Sequence, residues 1–240
     1  MAMLDGVFAS MSATPAAANV LRKTLSGLFH QAVKMQWRTD NPIRFTDAYP
    51  ENKVGFHDWT DAAIEQYRGK HALGTMARPA MDLALNTAAR RCNVAEMTRD
   101  DIPNGRIAVA HVKGNEETSV PLMATTIAAL KALPVAPIRY LIVRERGTPF
   151  TAASFGNRFR KWCNEAGLPH CSIHGLRKAM SRQLAEAGAT DAEGQAVTGH
   201  KKASTFQHYR AKANRVKLAD KAFSNLAARD ISNPKKKGDK

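Results

Sequence analysis

The chain has 240 residues, of which 36 are lysine or arginine and 21 are aspartate or glutamate, so its formal net charge is +15. The positive charges are spread along the whole chain, which favours nucleic acid as a partner and disfavours a membrane-surface helix. The three cysteines form no CxxC pair, so neither a disulfide framework nor a cysteine-rich zinc site is indicated. No apolar run approaches the ~20 residues that cross a bilayer, and we expect a protein of the reducing cytoplasm.

The first 49 residues contain one predicted helix. Thr14 and Pro15 are typical of a helix start, and apolar residues then repeat at helical spacing from Leu21 to Val33. A single amphipathic helix cannot bury its apolar face by itself. Residues 1–49 are therefore predicted to be the end of an N-terminal helical domain with its linker. The alternative is that this helix docks onto the main domain.

Residues 50–227 are predicted to form the main domain. Apolar residues alternate at Ile107 and Val109 and again at Val120, on either side of a Lys-Gly-Asn turn, which predicts an antiparallel hairpin. The remaining patterns are helical, with caps such as Thr151 and Asp191. The predicted helices cover Trp59–Tyr67, Thr75–Arg90, and about 123–132, 151–166, 175–187, 191–197, 203–211 and 215–227. The fold class is thus mainly α with a small antiparallel β-sheet (α+β), and residues 228–240 are predicted to be a disordered basic tail.

Three short motifs in the second half of the chain carry side chains that could act on a phosphate. His174 and Arg177 lie three positions apart at the start of a predicted helix, so both face the same side. His200 follows the end of a later helix, and Tyr209 lies nine positions further on, inside another. Each motif alone is common in unrelated proteins, and a single tyrosine is usually a packing residue. Their order and spacing together are more specific.

These motifs resemble those of the tyrosine recombinase family, the phage and mobile-element integrases. The resemblance rests on HGLRKAMSRQLAEAG at 174–188, VTGHKKASTFQHYRAKA at 197–213, NTAARRCNVAEM at 86–97 and HVKGNEETSVPL at 111–122. It makes Arg90 the first conserved arginine, with Arg91 as the rival assignment, and Lys113 the lysine of the hairpin turn. Family members usually have glycine two positions before the arginine and an acidic residue three after it, whereas this chain has Ala88 and Asn93.

The resemblance implies the tyrosine recombinase catalytic-domain fold and a role for each residue in transferring a DNA phosphate. Arg90 and Arg177 would hold the phosphate oxygens, because guanidinium is always charged and bonds phosphate in a fork. Tyr209 would be the nucleophile, and His174 is the candidate base for its proton. Two further roles are taken from the family: His200 would donate to a phosphate oxygen, and the hairpin lysine would protonate the departing 5′ oxygen. That lysine could also be an ordinary solvated residue.

The same resemblance implies a site-specific recombinase or integrase that works through a 3′-phosphotyrosine intermediate. Double-stranded DNA would be its partner, with a tetramer on DNA and a monomer in free solution, in the cytoplasm and associated with the nucleoid. No cofactor, metal or membrane is expected. Two alternatives stay open: a DNA-binding accessory protein with impaired catalysis, and a type IB topoisomerase-like DNA relaxing enzyme. The amphipathic segment 215–227 would pack on a neighbouring protomer or act as an intramolecular lid.

Overall fold

The structure is a computed structural model that describes residues 2–51, 55–111, 116–134, 138–213 and 215–232. The chain divides into two compact units, Met1–Gly55 and Phe56–Lys240. The division lies a few residues after the predicted boundary at 49. The identity of the first unit as the end of an N-terminal helical domain stays a prediction.

The first unit contains two helices, α1 (Ala2–Ser10) and α2 (Pro15–Lys34), and a single 3₁₀ turn at Pro42–Phe45. The sequence predicted α2 and missed α1, so the expectation of a lone helix in this segment was wrong. The segment after α2 folds back along that helix, because Arg22 donates to the carbonyl of Thr46 at 2.7 Å and the Asn19 side chain accepts from the backbone N–H of Tyr49 at 2.9 Å.

The second unit is mainly helical with one antiparallel pair of strands among its described residues, so the predicted fold class is confirmed. Strands β1 (Arg106–His111) and β2 (Glu116–Pro121) pair with Ile107 opposite Val120 and Val109 opposite Thr118. All four side chains are buried, including Ile107, Val109 and Val120, whose alternation predicted the hairpin. The helices are α3 (Asp61–Lys70), α4 (Ala77–Thr87), α5 (Arg91–Glu96), α6 (Ala124–Lys131), α7 (Ala152–Glu165), α8 (Ile173–Glu186), α9 (Asp191–Thr198), α10 (Ala203–Lys212) and α11 (Arg215–Ser232).

The core of this unit is built around aromatic side chains from several helices. Phe155, Phe159 and Trp162 of α7 are buried, as their helical spacing predicted, and Phe159 lies against Tyr67 of α3 with ring centroids 5.8 Å apart. Helix α4 is buried along almost its whole length and packs against α6 and α8. Burial of apolar surface drives folding, and α4 and α8 pack against each other and against most of the other helices. These two helices are therefore central to the second unit.

Several helix boundaries differ from the sequence prediction by two or more residues. For example, α3 covers Asp61–Lys70 where Trp59–Tyr67 was predicted. The helix predicted through Arg90 ends at Thr87, because Ala88 takes a left-handed conformation with φ 49° and reverses the chain. The start of α9 is capped by Thr190, in a reciprocal box with Glu193, and Asp191 is the first helical residue rather than the cap. Helix α11 continues to Ser232, five residues beyond its predicted end at 227. Residues 233–240 of the predicted tail lie outside the described residues.

Among the described residues, no helix combines the length and the apolar content that crossing a bilayer requires.

Gly175 allows the segment before α3 to approach α8 closely. An added Cβ there would overlap the carbonyl oxygen of His57 and would lie 2.8 Å from the Trp59 ring. We therefore expect Gly175→Ala to lower the free energy of unfolding by about 3 kcal/mol, the upper range for overpacking a filled site. Chemical denaturation measures this change. Gly69→Ala is the matched control in α3, where nothing lies within 4 Å of the added Cβ. It should be neutral or stabilising by up to ~1 kcal/mol, and equal effects of the two substitutions would contradict the close approach.

Candidate active site

Arg177 lies on α8 with its guanidinium in the interior of the second unit. The residue is only 5% exposed, and its Nη1 donates to the carbonyl oxygen of Ala88 at 2.6 Å. Its Nη2 is buried and has no hydrogen-bond partner among the described residues. Burial, followed by the charge of Arg90, lowers the pKa of Arg177 to about 10. At neutral pH the side chain is still a cation, held where water does not solvate it fully.

Arg90 is brought to the same region by the chain reversal at Ala88. It directly precedes α5, and its Nη1 is also buried without a partner among the described residues. The charge of Arg90 disfavours the charged form of Arg177, and neither guanidinium group has an ion pair with a carboxylate of the described chain. Two neighbouring cations with unused donors, one buried and one half-buried, are suited to bind an anion, since a phosphate can accept a forked pair of hydrogen bonds from each.

The structure distinguishes between Arg90 and Arg91, the two candidates for the first arginine of the site. Arg91 is exposed, and its Nη1 packs over Gly156 of α7, 2.6 Å from where a Cβ would stand. Arg90, in contrast, acts electrostatically on both His174 and Arg177. Of the two candidates, Arg90 is therefore the one placed with the other site residues.

Ala88 and Asn93, the two departures from the family pattern, both have structural roles here. Ala88 occupies the left-handed region that glycine adopts without strain, which costs an alanine roughly 1–2 kcal/mol. That conformation directs its carbonyl oxygen toward Arg177. The Asn93 amide is buried and donates to the carbonyl of Ala110, so it ties α5 to β1.

His174 lies in the first turn of α8, one turn before Arg177. The residue is partly exposed to solvent, and its ring is tilted against Phe56, with ring centroids 4.7 Å apart. Burial lowers the pKa of His174, and the positive charges of Arg177, Lys178 and Arg90 lower it further. The imidazole is therefore neutral at neutral pH, the state in which a histidine can accept a proton.

Tyr209 lies on α10, which packs against α8 and α9. One turn earlier Phe206 is fully buried against Ala185, and Gly194 of α9 leaves room for its ring, since an added Cβ would lie 2.5 Å from it. This packing turns the half-buried phenol toward α8. Burial raises the pKa of Tyr209, the charge of Asp58 raises it further, and Arg177 partly offsets both.

His200 follows α9, after Gly199 ends that helix in a left-handed conformation with φ 62°. Its Nδ1 lies 2.8 Å from Thr198 Oγ1, and this hydroxyl oxygen also lies 2.7 Å from the carbonyl oxygen of Gly194. The contact between Nδ1 and the hydroxyl orients the ring. When the hydroxyl donates to Nδ1, the neutral ring carries its proton on Nε2 and can donate it.

Lys113 lies outside the described residues, as does the rest of the hairpin turn at 112–115. The structure thus places Arg90, His174, Arg177 and Tyr209 in one region: Arg90 and Arg177 act electrostatically on His174, and Arg177 interacts with Tyr209. His200 lies after α9. The role of the lysine in the turn stays a prediction.

Asp58 was missed by the sequence analysis. Its Oδ2 lies 3.4 Å from Arg182 Nε, and its Oδ1 is buried without a partner among the described residues. It lies close enough to Tyr209 to raise the pKa of the phenol. No spacing rule connects residue 58 with residue 209, so the sequence contained no signal for this contact.

Replacing Asp58 with asparagine should shift the pH dependence of any reaction that uses the Tyr209 phenolate. Without the carboxylate charge the pKa of Tyr209 falls, so the rising limb of the rate profile should move to lower pH. The rate of covalent DNA attachment across pH measures this shift. Asp61→Asn is the control. Asp61 also pairs with Arg182, at 2.9 Å, but its charge is not among those that shift the pKa of Tyr209. Matching profiles for the two variants would contradict the coupling.

The fold and the cationic site can now be compared with known proteins. The sequence model of the phage integrase family matches residues 62–215. This match covers more than half of the chain, so the protein belongs to the phage integrase family, and the predicted family is confirmed.

Two phage integrases are among the similar proteins. The chain is 26% identical to the integrase of Enterobacteria phage 434 over 223 residues, which is 87% of this chain and 61% of that protein. It is 26% identical to the integrase of Escherichia phage lambda over 222 residues, with the same two shares of 87% and 61%. The chain thus spans about three fifths of the length of these relatives.

A solved structure supports the fold. The crystal structure of a lambda integrase dimer bound to a COC′ core site superposes with a TM-score of 0.72 at 25% identity, covering 87% of this chain and 77% of that chain. The expected tyrosine recombinase catalytic-domain fold is thereby confirmed.

Proposed function

We propose that this chain is the catalytic part of a site-specific DNA recombinase or integrase, which cleaves and rejoins DNA strands through a 3′-phosphotyrosine at Tyr209. The observation that carries the proposal is the pair Arg90 and Arg177. Each has a buried N–H donor without a partner among the described residues. The phenol of Tyr209 lies close enough to Arg177 for that positive charge to lower its pKa. A DNA phosphate would supply the missing acceptors.

In the proposed reaction the Tyr209 oxygen attacks the phosphorus while the bond from phosphorus to the 5′ oxygen breaks. Arg90 and Arg177 stabilise the negative charge that spreads over the other phosphate oxygens. The phenol passes its proton to the neutral ring of His174. Each group therefore meets one requirement of the transfer, and the displaced strand leaves with a 5′ hydroxyl once that oxygen is protonated.

The remaining two roles belong to residues from separate segments. Lys113, on the hairpin turn, would protonate the departing 5′ oxygen, and His200, with its ring oriented by Thr198, would donate to a non-bridging oxygen. The covalent phosphotyrosine keeps the energy of the broken ester. Rejoining is then the reverse attack by a 5′ hydroxyl on phosphorus, which requires no nucleotide cofactor.

The proposed partner is double-stranded DNA, in keeping with the net charge of +15 and with a place on the nucleoid. We further propose a tetramer on DNA and a monomer in free solution. Helix α11 supports an assembly role, because Val216, Phe223 and Leu226 are 68%, 74% and 53% exposed. Apolar side chains exposed along one helix favour a protein contact.

The proposal is tested by trapping the intermediate. The substrates are overlapping nicked duplexes that together cover the DNA flanking the gene. After cleavage the short strand next to the nick dissociates, so the strand cannot be rejoined. The covalent protein–DNA adduct therefore accumulates and is detected on a denaturing gel. Adduct formation together with strand exchange between two sites is the expected result. Binding without any adduct would favour an accessory protein, for which Ala88 and Asn93 are the motivating departures. Relaxation of supercoiled DNA without exchange between sites would favour a type IB topoisomerase-like enzyme.

A further inference from the structure

Three potential metal ligands from distant parts of the sequence meet outside the proposed DNA site. His57 precedes α3, while His170 and Cys171 precede α8. Their ligand atoms all lie within 4.8 Å of one another, and the two imidazole rings are perpendicular with centroids 4.5 Å apart. The sequence analysis predicted no metal because the three cysteines form no CxxC pair. The fold supplies the third ligand.

The two segments that carry these ligands are held together by contacts that need no metal. Trp59 Nε1 donates to the carbonyl oxygen of Ser172 at 2.8 Å, and Lys178 Nζ donates to that of Phe56 at 2.6 Å. Gly175 permits the close approach of the His57 backbone. Binding an ion would therefore require only small side-chain movements, so little conformational entropy would be lost.

The donor set is typical of zinc. Zinc binds thiolate at ~2.3 Å and imidazole nitrogen at ~2.0–2.1 Å, so two ligands of one tetrahedral ion lie roughly 3.3–3.7 Å apart. The three ligand atoms already lie within 4.8 Å of one another, so rotations of the side chains can bring them to that separation. Cys171 is fully buried, whereas His57 and His170 are exposed. Three protein ligands would leave the fourth position of a tetrahedral ion to water.

We infer that His57, His170 and Cys171 form a binding site for one zinc-class divalent ion per chain. The ion would link the segment before α3 to the segment before α8. Phe56, which packs on His174, lies next to the first ligand, so the bound ion would also restrain the wall of the proposed DNA site. None of the three ligands has a role in the proposed phosphoryl transfer, and the inference does not depend on it.

Titration of the metal-free, tag-free full chain with Zn²⁺ by calorimetry tests the site. One equivalent should bind, and at a hundredfold excess over Kd the melting temperature should rise by about 5 °C or more. Co²⁺ as a spectroscopic probe should give a thiolate-to-metal absorption band. Mg²⁺, which prefers oxygen ligands, should cause neither change.

Variants assign the ligands. Cys171→Ser should abolish the cobalt–thiolate band, and His57→Asn and His170→Asn should each weaken Zn²⁺ binding at least about tenfold. The two histidines are exposed, so their variants remain informative even where the buried cysteine variant fails to fold. His30→Asn and Cys92→Ser are controls that should bind as the parent does. Absence of binding, or Zn²⁺ affinity unchanged in both histidine variants, would overturn the inference.

Discussion

Tyr209→Phe is expected to abolish the covalent protein–DNA adduct while leaving DNA binding intact. The substitution removes only the phenolic oxygen, and the ring keeps its packing against Phe206 and its neighbours on α10. Without a nucleophile there is no bond to phosphorus, so the loss should be complete rather than partial. A denaturing gel with a nicked duplex measures the adduct, and a gel shift on the same duplex measures binding.

Tyr140→Phe is the matched control for this result. Tyr140 lies in the same unit, next to Thr98 in an isolated strand bridge, and it has no place in the proposed site. Its variant should form the adduct at the rate of the parent protein. Adduct that persists in the Tyr209 variant and disappears in the Tyr140 variant would move the nucleophile and remove the basis of the proposed mechanism.

Arg177→Lys should reduce the rate of strand cleavage by about a thousandfold. Lysine keeps the charge but cannot bond both the Ala88 carbonyl and a phosphate oxygen in the planar geometry of guanidinium, and loss of one such donor costs 10²–10³ in rate. Single-turnover cleavage measures the effect. The melting temperature should fall far less than this loss of activity implies, because lysine keeps the positive charge and only the hydrogen bond to the Ala88 carbonyl is affected within the protein.

Arg91→Lys separates an effect at the proposed site from a general effect of exchanging arginine for lysine. Arg91 carries the same charge next to Arg90 in the sequence, but it packs over α7. Cleavage by this variant should stay within about threefold of the parent, in the range of an ordinary surface substitution. A loss as large as that of the Arg177 variant would show that the effect does not depend on the place of the guanidinium group in the proposed site.

Much of the fold could be predicted from the sequence because its signals are local. The alternation around Ile107 and Val120 identified the hairpin, and the aromatic spacing in α7 identified a core helix. Prediction failed where one residue changed the backbone direction. Alanine is a strong helix former, so nothing in the sequence showed that Ala88 would take a left-handed conformation and end α4. Helix α1 was missed because its short pattern contains Gly6 and few apolar repeats.

The candidate site was predictable only in part, because motif resemblance identifies residue types and folding determines their surroundings. The proximity of Arg90 to Arg177 and the influence of Asp58 on Tyr209 depend on contacts between residues far apart in sequence. The same is true of His57 beside Cys171. Such contacts follow from the packing of α8 against its neighbours, which has no local signature.

The most direct test of the central claim is an experimental structure of the protein trapped on a nicked duplex. The account predicts that phosphorus is bonded to the Tyr209 oxygen, and that the guanidinium groups of Arg90 and Arg177 each lie about 3 Å from non-bridging oxygens of that one phosphate. A phosphate attached elsewhere, or either guanidinium group out of hydrogen-bonding reach of it, would contradict the account.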